Sequence, residues 1–329
     1  MEPTPSHPLP AERPARTTAS VWRPLRGRTF RDLLIADIFS DVGTFMQSVG
    51  AAWLMVSFKA GPMYVALTQT ASALPFFLFA LPAGALGDIV DRRKLILFTE
   101  TWMALVAIAL AILVITGFIS PWLLLALTFA LSAGDAFETP TWRAVLPELV
   151  AREDLEAASA LNGIEFNLAR AVGPGLAGLL IATFGIGTAF VVNAASFIGV
   201  IFVVARWKQP HRKRTAPAER VVGATMAALR YVRYSTAVRA LIIRAGAVMF
   251  FASALLALLP TVAHNVSESP IAFGLLLGCF GAGAVVGAFV LQPARARWST
   301  ETVASAGVAI LGTATIAVSI LHDEGHRNF

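Results

Sequence analysis

The sequence predicts an all-α membrane protein, a polytopic bundle of about nine transmembrane helices. Two compositional features support this class. Apolar residues make up 57% of the 329 residues and charged residues only 14%, whereas soluble globular proteins carry roughly 25% charged residues. The mean hydropathy is +0.70. So few charges cannot cover the water-facing surface of a chain this long, which excludes a soluble enzyme, a disordered protein and a fibrous protein.

The third observation is the number of long apolar segments. A membrane-spanning helix requires about 20 mostly apolar residues. Nine segments meet this requirement: 33–58, 64–87, 95–116, 121–138, 162–184, 187–206, 238–260, 271–293 and 302–321. The fourth is the weakest because Asp135 and Glu138 lie at its end. Residues 139–161 are polar, and we expect a short surface helix there, with Leu155 and Leu161 facing the bilayer or the bundle.

The predicted spans fall into two groups. Residues 1–30 are rich in Pro, Ser, Thr and Arg and lack the features of a signal peptide, so we expect a disordered cytoplasmic tail. Residues 31–206 are predicted to form a half of six helices, and 207–236 a basic cytoplasmic linker. Residues 237–329 then provide three helices of an incomplete second half.

The distribution of Lys and Arg predicts the orientation. If the N-terminus is cytoplasmic, the outer connections carry only Lys59, while Arg327 follows the last span. Cytoplasmic loops of membrane proteins carry an excess of Lys and Arg, so this orientation is favoured. The same tendency accounts for the basic linker. We therefore expect contact with membrane lipid and no nucleic-acid partner.

Polar side chains in span one form a stripe. Such groups are costly in a bilayer and usually face a cavity or another helix. Asp37 and Asp41 are four residues apart and share one helix face, which Gln47 extends. The functional interpretation is a path for substrate or protons, with Asp41 the strongest candidate because it lies one turn deeper. The alternative for Asp37 is that it lies near the cytoplasmic end and simply reaches water.

Span five carries the second acidic candidate and a packing motif. Glu165 and Arg170 lie near the inner face, where they could pair with each other or with charges in span two. Gly173 and Gly178 permit close contact between helices, and Pro174 removes a backbone donor and can bend the helix. A bend at a small-residue contact is useful in a rocking transporter. It is equally ordinary as packing in any helical bundle.

No cofactor or metal is expected. Five scattered His and the single Cys279 do not provide a tetrahedral zinc site. The glycine-rich segment 281–287 is not followed by the Lys-Ser/Thr of a phosphate loop. Active transport must therefore draw on an ion gradient or on a separate ATPase subunit. Because no clustered catalytic motif is present, we do not expect an enzyme.

The loop between spans two and three has a charged motif, PAGALGDIVDRRKLIL. Gly84 and Asp88 are four residues apart at the end of span two, and Arg92 and Arg93 follow in a cytoplasmic turn. Glycine allows another helix to approach, and Asp88 can accept hydrogen bonds from a helix start or an arginine. We call these four the latch residues. They are predicted to lock two helix bundles together at the inner side and to release them when the bundles rock.

This motif resembles the signature of the major facilitator superfamily, G-x-x-x-D-R-x-G-R-R/K. The latch residues are in register with it, and the chain departs from it at Ile89 and Asp91. Further segments resemble the bacterial efflux branch that includes the enterobactin exporter. They are FRDLLIADIFSDVGTFMQSVGAAWLM, ETPTWRAVLPELVAREDLEAASALN, ARAVGPGLAGLL and AFVVNAASFIG.

The resemblance implies a transporter of two six-helix halves in the bacterial inner membrane. It implies proton exchange as the driving force and a siderophore or drug-like compound as the substrate. Two departures matter. Drug antiporters often carry an arginine motif in helix four, whereas span four has no Arg before Arg143. Nine spans rather than twelve lead us to expect a C-terminally truncated member, with a non-transporting remnant or an accessory membrane-binding subunit as the alternative.

Overall fold

The structure is a computed structural model that describes residues 21–207, 230–266 and 269–327. Its described residues form long α-helices without a strand, which confirms the predicted all-α class. The long helices are α1 (Arg28–Ser57), α2 (Pro62–Ile89), α3 (Arg92–Ile115), α4 (Pro121–Leu149), α5 (Leu155–Phe184), α6 (Gly187–Arg206), α7 (Thr236–Val266), α8 (Pro270–Arg297) and α9 (Thr300–Arg327). Two short 3-10 turns, Arg23–Arg26 and Arg152–Asp154, precede α1 and α5.

Three segments of the described chain are both long and apolar enough to cross a membrane: α3, Arg152–Phe184 and α6. Other helices have the length. For example, the 30 residues of α1 extend about 45 Å at 1.5 Å per residue, which exceeds the roughly 30 Å of a bilayer core. The polar stripe of Asp37, Asp41 and Gln47 lowers the hydropathy of α1. A helix that is long enough to span a bilayer can therefore have a low mean hydropathy because of its polar side chains.

The short connections after α1, α3 and α5 turn through glycine. Gly61, Gly117 and Gly185 follow α1, α3 and α5 with φ of 95°, 75° and 88°. This left-handed region suits glycine, since a side chain there is strained. Each turn therefore reverses the chain within a few residues, and consecutive helices run antiparallel.

The predicted boundary between the fourth and fifth spans is wrong. α4 continues to Leu149, and only a 3-10 turn separates it from α5. The surface helix expected within 139–161 is therefore absent from this described segment, because its residues belong to the ends of α4 and α5. The cause is packing. Leu161 is 4% exposed and lies in one apolar cluster with Phe30 and Leu34 of α1.

The N-terminal tail also ends earlier than expected. α1 begins at Arg28, and Arg23 in the preceding turn forms an ion pair with Asp154, 3.3 Å apart. The remainder of the predicted tail, residues 1–20, lies outside the described residues, as does most of the predicted linker.

The helices of the first half pack around α1. α1 contacts α5 and α6, α2 packs on α4, and α3 packs on both α4 and α6. α8 lies along α5, and α7 contacts α2. One apolar cluster joins the two parts of the chain, with Val49 and Ile181 from the first and Leu259 and Phe273 from the second. This arrangement places α1, α4 and α5 side by side, which positions the site.

Candidate functional site

Six carboxylates lie at similar depth in the first half. They come from four helices and are Asp37 and Asp41 on α1, Glu100 on α3, Asp135 and Glu138 on α4, and Glu165 on α5. We call the end of the bundle that carries Arg28, Arg92 and Arg152 the arginine-rich end. Each carboxylate lies about 12–21 Å from this end along its helix, at 1.5 Å per residue. We call this set the carboxylate cluster. It includes three of the four residues predicted for the substrate or proton path.

The two strongest sequence candidates are in contact. The carboxyl groups of Asp41 on α1 and Glu165 on α5 lie within hydrogen-bonding range of each other. Glu165 is 4% exposed, and its Oε1 has no hydrogen-bond partner among the described residues. Gly173 allows this close approach, because a Cβ there would lie 2.7 Å from the Cβ of Phe45 on α1. Two carboxyl groups can share a hydrogen bond only when one of them carries a proton, so this pair is a candidate proton-binding site between two helices.

Asp37 lies at the side of the cluster nearest the arginine-rich end. Its Oδ2 accepts a hydrogen bond of 3.1 Å from the indole Nε1 of Trp142. It also lines a cavity of about 10 Å³ together with Leu146 and Asn162, close to the size that one water requires. The half-buried Asp37 is therefore fixed to α4 and is not simply a side chain in open solvent.

Three members of the cluster were missed as site residues. Glu138 Oε2 accepts from Thr99 Oγ1 at 3.4 Å, and its carboxyl group lies within hydrogen-bonding range of that of Glu100. Asp135 Oδ1 accepts from Thr139 Oγ1 at 3.0 Å. In the sequence, Asp135 and Glu138 indicate only a weak end of the fourth span, and Glu100 is not among the predicted site residues. The signal was present, because an ionisable residue inside a span is a functional candidate by default.

The described ion pairs involve other carboxylates. They include Arg92–Glu148 at 2.7 Å and lie near helix ends. The structure does not bring Glu165 and Arg170 together, since the Arg170 guanidinium lies 5.0 Å from the ring centroid of Phe280 on α8. The alternative partner, a charge in span two, is Asp88, whose side chain lies outside the described residues. Within the described part of the chain, no ion pair compensates the carboxylate cluster.

Gln47 belongs to a different polar group. Its Oε1 accepts a hydrogen bond of 2.6 Å from Nδ2 of Asn193 on α6, and Thr44 Oγ1 donates to Asn193 Oδ1 at 3.4 Å. Gln47 is 4% exposed. The structure thus uses it to join α1 to α6 and does not bring it into contact with the carboxylates.

The two arginines of the latch bind helix ends. Arg92 Nη1 donates to the carbonyl of Ala144 at 2.6 Å as well as to Glu148, near the end of α4. Arg93 Nη2 donates to the carbonyl of Ala205 at 2.6 Å, at the end of α6. Cations are favoured near a helix C-terminus, where the carbonyl groups form the negative end of the helix dipole. These contacts join α3 to α4 and α6 within the first half, and a latch between halves stays a prediction.

The other two latch residues, Gly84 and Asp88, have no described side-chain contact that supports a latch. A Cβ at Gly84 would meet no described atom within 4 Å, whereas one at Gly87 would lie 3.3 Å from Thr141 Oγ1 on α4. The close approach to α2 is therefore at Gly87 and not at Gly84. The side chain of Asp88 lies outside the described residues.

The small residues of α5 lie against α8. A Cβ at Gly178 would be 3.0 Å from Ile271 Cα, and one at Gly274 would be 2.5 Å from the carbonyl oxygen of Pro174. Such close backbone approach is possible only where side chains are absent. The predicted packing residues of α5 thus lie where the first half meets the second.

A bundle of long helices with carboxylates in its interior defines a multi-pass membrane protein of the transporter class. The chain belongs to the transmembrane secretion effector family of the major facilitator superfamily, whose family model matches residues 19–325. This is a family of transport proteins and not of enzymes.

Curated relatives are transporters. The Staphyloferrin A transporter of Staphylococcus aureus (strain NCTC 8325 / PS 47) is 26% identical over 163 residues, which is 49% of this chain and 41% of the relative. The multidrug efflux pump Tap of Mycolicibacterium fortuitum is 25% identical over 301 residues, covering 88% and 73%. The enterobactin exporter EntS of Citrobacter koseri (strain ATCC BAA-895 / CDC 4225-83 / SGSC4696) is 26% identical over 264 residues, covering 79% and 62%. The matches thus span between 41% and 73% of these relatives.

Solved structures agree on the fold. A bacterial homologue of the human lysosomal transporter Spinster, crystallised inward-facing and unoccupied, matches with a TM-score of 0.65 at 16% identity, over 84% of this chain and 64% of that one. The occupied form matches with a TM-score of 0.67 at 13% identity, over 84% and 63%. The predicted major facilitator fold is therefore confirmed.

Proposed function

We propose that this protein is a secondary active exporter of a small organic compound, coupled to protons, in a bacterial inner membrane with its N-terminus in the cytoplasm. The observation that carries the proposal is the carboxylate cluster, which lies inside the helix bundle without a described ion-pair partner. The names of the relatives, which are siderophore transporters and a multidrug pump, support export of a small molecule. The arginine-rich helix ends support the orientation.

The Asp41–Glu165 pair is the proposed exchange point. A buried carboxylate pair that loses its proton leaves negative charge in a medium of low dielectric, which is costly unless another cation compensates it. A positively charged substrate supplies that compensation. Proton and substrate therefore compete for one pair, and this competition is the basis of exchange.

The charge of the cluster favours one of the two substrate classes suggested by the relatives. A compound with a positive charge gains from the carboxylates at and around the Asp41–Glu165 pair, whereas an anionic siderophore meets like charge. We therefore propose a cationic, drug-like substrate. An anionic siderophore is the competing outcome.

Efflux from cells tests this proposal. The chain is expressed in an efflux-deficient bacterium loaded with a cationic dye such as ethidium or with an anionic dye of similar size. We expect proton-dependent efflux of the cation, lost in Asp41→Asn and retained in Glu156→Gln. Glu156 is the matched control, because it lies on the same helix as Glu165 but is exposed.

Each outcome decides a different part of the proposal. Unchanged proton-dependent efflux in Asp41→Asn removes Asp41 from the mechanism. Preferential efflux of the anion overturns the substrate class. Dye binding without efflux favours a non-transporting binding protein.

A further inference from the structure

We propose that Glu100 and Glu138 form a second proton-binding site, between α3 and α4, which is distinct from the Asp41–Glu165 pair and closed to substrate. The inference rests on the proposed function only in taking the proton as the coupling ion. The site itself is argued from contacts inside the first half.

The two carboxyl groups lie at the α3–α4 interface, within hydrogen-bonding range of each other. Thr99 Oγ1, on the residue before Glu100, lies 3.4 Å from Glu138 Oε2. Ionised carboxylates only accept hydrogen bonds, so two carboxyl groups at such a distance repel each other unless one of them carries a proton. We therefore expect a proton to be held at this interface.

Glu100 is the enclosed member of the pair, whereas Glu138 is half-buried. Glu100 is 2% exposed, and its Oε2 has no hydrogen-bond partner among the described residues. One turn from Glu138, α3 and α4 are pressed together at Gly134, where a Cβ would lie 2.5 Å from Met103 Cγ. The indole of Trp102 on α3 donates to the carbonyl of Ala130 on α4 at 2.7 Å. This packing leaves no room for an organic substrate beside Glu100.

The enclosed site also does not fit a metal ion. Among the described residues, no group of three or more His, Cys, Asp or Glu has the arrangement of a metal site. A buried oxygen that lacks a partner nevertheless costs free energy. A proton is the one cation small enough to enter a hydrogen bond between two carboxyl groups without rearranging the helices.

The charged groups around the site are acidic. α1 contributes Asp37 and Asp41, and α4 contributes Asp135, all of which interact electrostatically with Glu100. α6 also packs on α3, but its charged residue is Arg206, whose guanidinium lies at the helix end over the ring of Phe202. The charged residue of α2, Asp88, lies at the end of that helix, and its side chain is outside the described residues.

Asp37 and Asp135 also connect the two carboxyl pairs. Asp37 interacts with Glu138 and with Asp41, while Asp135 interacts with Glu100 and with Asp41. A change of charge at one pair is therefore felt at the other. The enclosed pair stores a proton while the Asp41–Glu165 pair is occupied by substrate.

Infrared spectroscopy measures this proton directly. The full chain is reconstituted into liposomes, and the carboxylic-acid C=O band is followed as a function of pH for the parent protein, Glu100→Gln, Glu138→Gln and the exposed control Glu156→Gln. We expect the parent to retain a protonated-carboxyl band at neutral pH. Glu100→Gln and Glu138→Gln each remove the same component of this band, and Glu156→Gln leaves it unchanged.

Binding and transport of tetraphenylphosphonium provide the second readout. Glu100→Gln and Glu138→Gln are expected to keep the affinity and the downhill exchange of this cation within about twofold of the parent. Uphill accumulation against its gradient is expected to be lost. Asp41→Asn provides the contrast, because it is expected to weaken binding itself.

The outcomes separate this site from the proposed function. If the carboxylic-acid band is unchanged in Glu100→Gln and Glu138→Gln, the proposed second proton site is wrong. If one of these variants does not fold, the band of the other variant alone decides. If both variants lose affinity for the cation as strongly as Asp41→Asn, the site is not closed to substrate, which also overturns the inference. If the parent protein does not transport but its band disappears in the variants, the proton site stands and the proposed function fails.

Discussion

The carbonyl oxygen of Arg170 lies against the backbone of Gly281, at a point where a Cβ on Gly281 would be 2.6 Å away. The reason lies four residues along α5. Pro174 has no N–H to donate to the Arg170 carbonyl, so this oxygen is free to face α8. Glycine is the residue that lets another helix reach it. Pro174 thus leaves the Arg170 carbonyl of α5 without its helical partner, and the missing side chain of Gly281 lets α8 approach this carbonyl.

Replacement of Gly281 by alanine is therefore expected to destabilise the protein. Forcing a methyl group into this contact costs about 1–3 kcal/mol. Thermal unfolding of the purified protein in detergent measures the effect, and Gly283→Ala is the matched control. A Cβ at Gly283, on the same helix, meets no described atom within 4 Å. Equal melting temperatures for the two variants would contradict the role of this contact.

Replacement of Arg92 by alanine is expected to loosen the end of α4. Its guanidinium binds both Glu148 and the carbonyl of Ala144, and loss of a partner for a buried polar group costs about 1–3 kcal/mol. Arg92→Lys is expected to recover only part of the loss, because an ammonium group does not reproduce the fork geometry of arginine. Limited proteolysis near residue 150 reports the loosening. Lys94→Ala, which changes an exposed neighbour, is expected to resemble the parent.

The Gln47–Asn193 pair is expected to behave as one energetic unit. Both side chains are buried and share a hydrogen bond of 2.6 Å. Removing either leaves the other without this partner, so Gln47→Ala and Asn193→Ala each cost about 1–3 kcal/mol. The double variant is expected to cost less than the sum, with a coupling of about 0.5–3 kcal/mol in a double-mutant cycle. Additive losses would show that the two residues act independently.

The proposed orientation predicts which side of the membrane each loop faces. In a Cys279→Ser background, Lys59→Cys is expected to react with a membrane-impermeant maleimide on intact cells. Arg152→Cys is expected to react only after the cells are broken. Both positions are exposed, so burial does not explain a difference between them. Labelling of Arg152→Cys on intact cells would reverse the proposed topology.

The positions of the helices could be predicted from the sequence because apolar length is a property of each segment alone. The end of α4 could not be predicted in this way. Its last turns contain polar residues, and they are held in a helix by packing against Phe30 of α1 and Leu161 of α5. Local hydropathy contains no information about that contact.

The carboxylate pairs show the same limit. The sequence identified Asp41 and Glu165 separately, but the partners that it offered for Glu165 were Arg170, five residues away on the same helix, or charges in span two. Pairing between helices depends on how each helix is rotated about its axis, and the packing of Gly173 on Phe45 sets this for α1 and α5. Glu100 could have been found only by treating every charge within a span as a candidate.

The contact of Arg93 with the end of α6 has a consequence for biosynthesis. Its partners, the carbonyls of Val204 and Ala205, are made more than a hundred residues after Arg93 itself. These bonds form only once the ribosome has completed the sixth helix. A nascent chain halted before residue 204 therefore lacks the bonds that join the start of α3 to the end of α6.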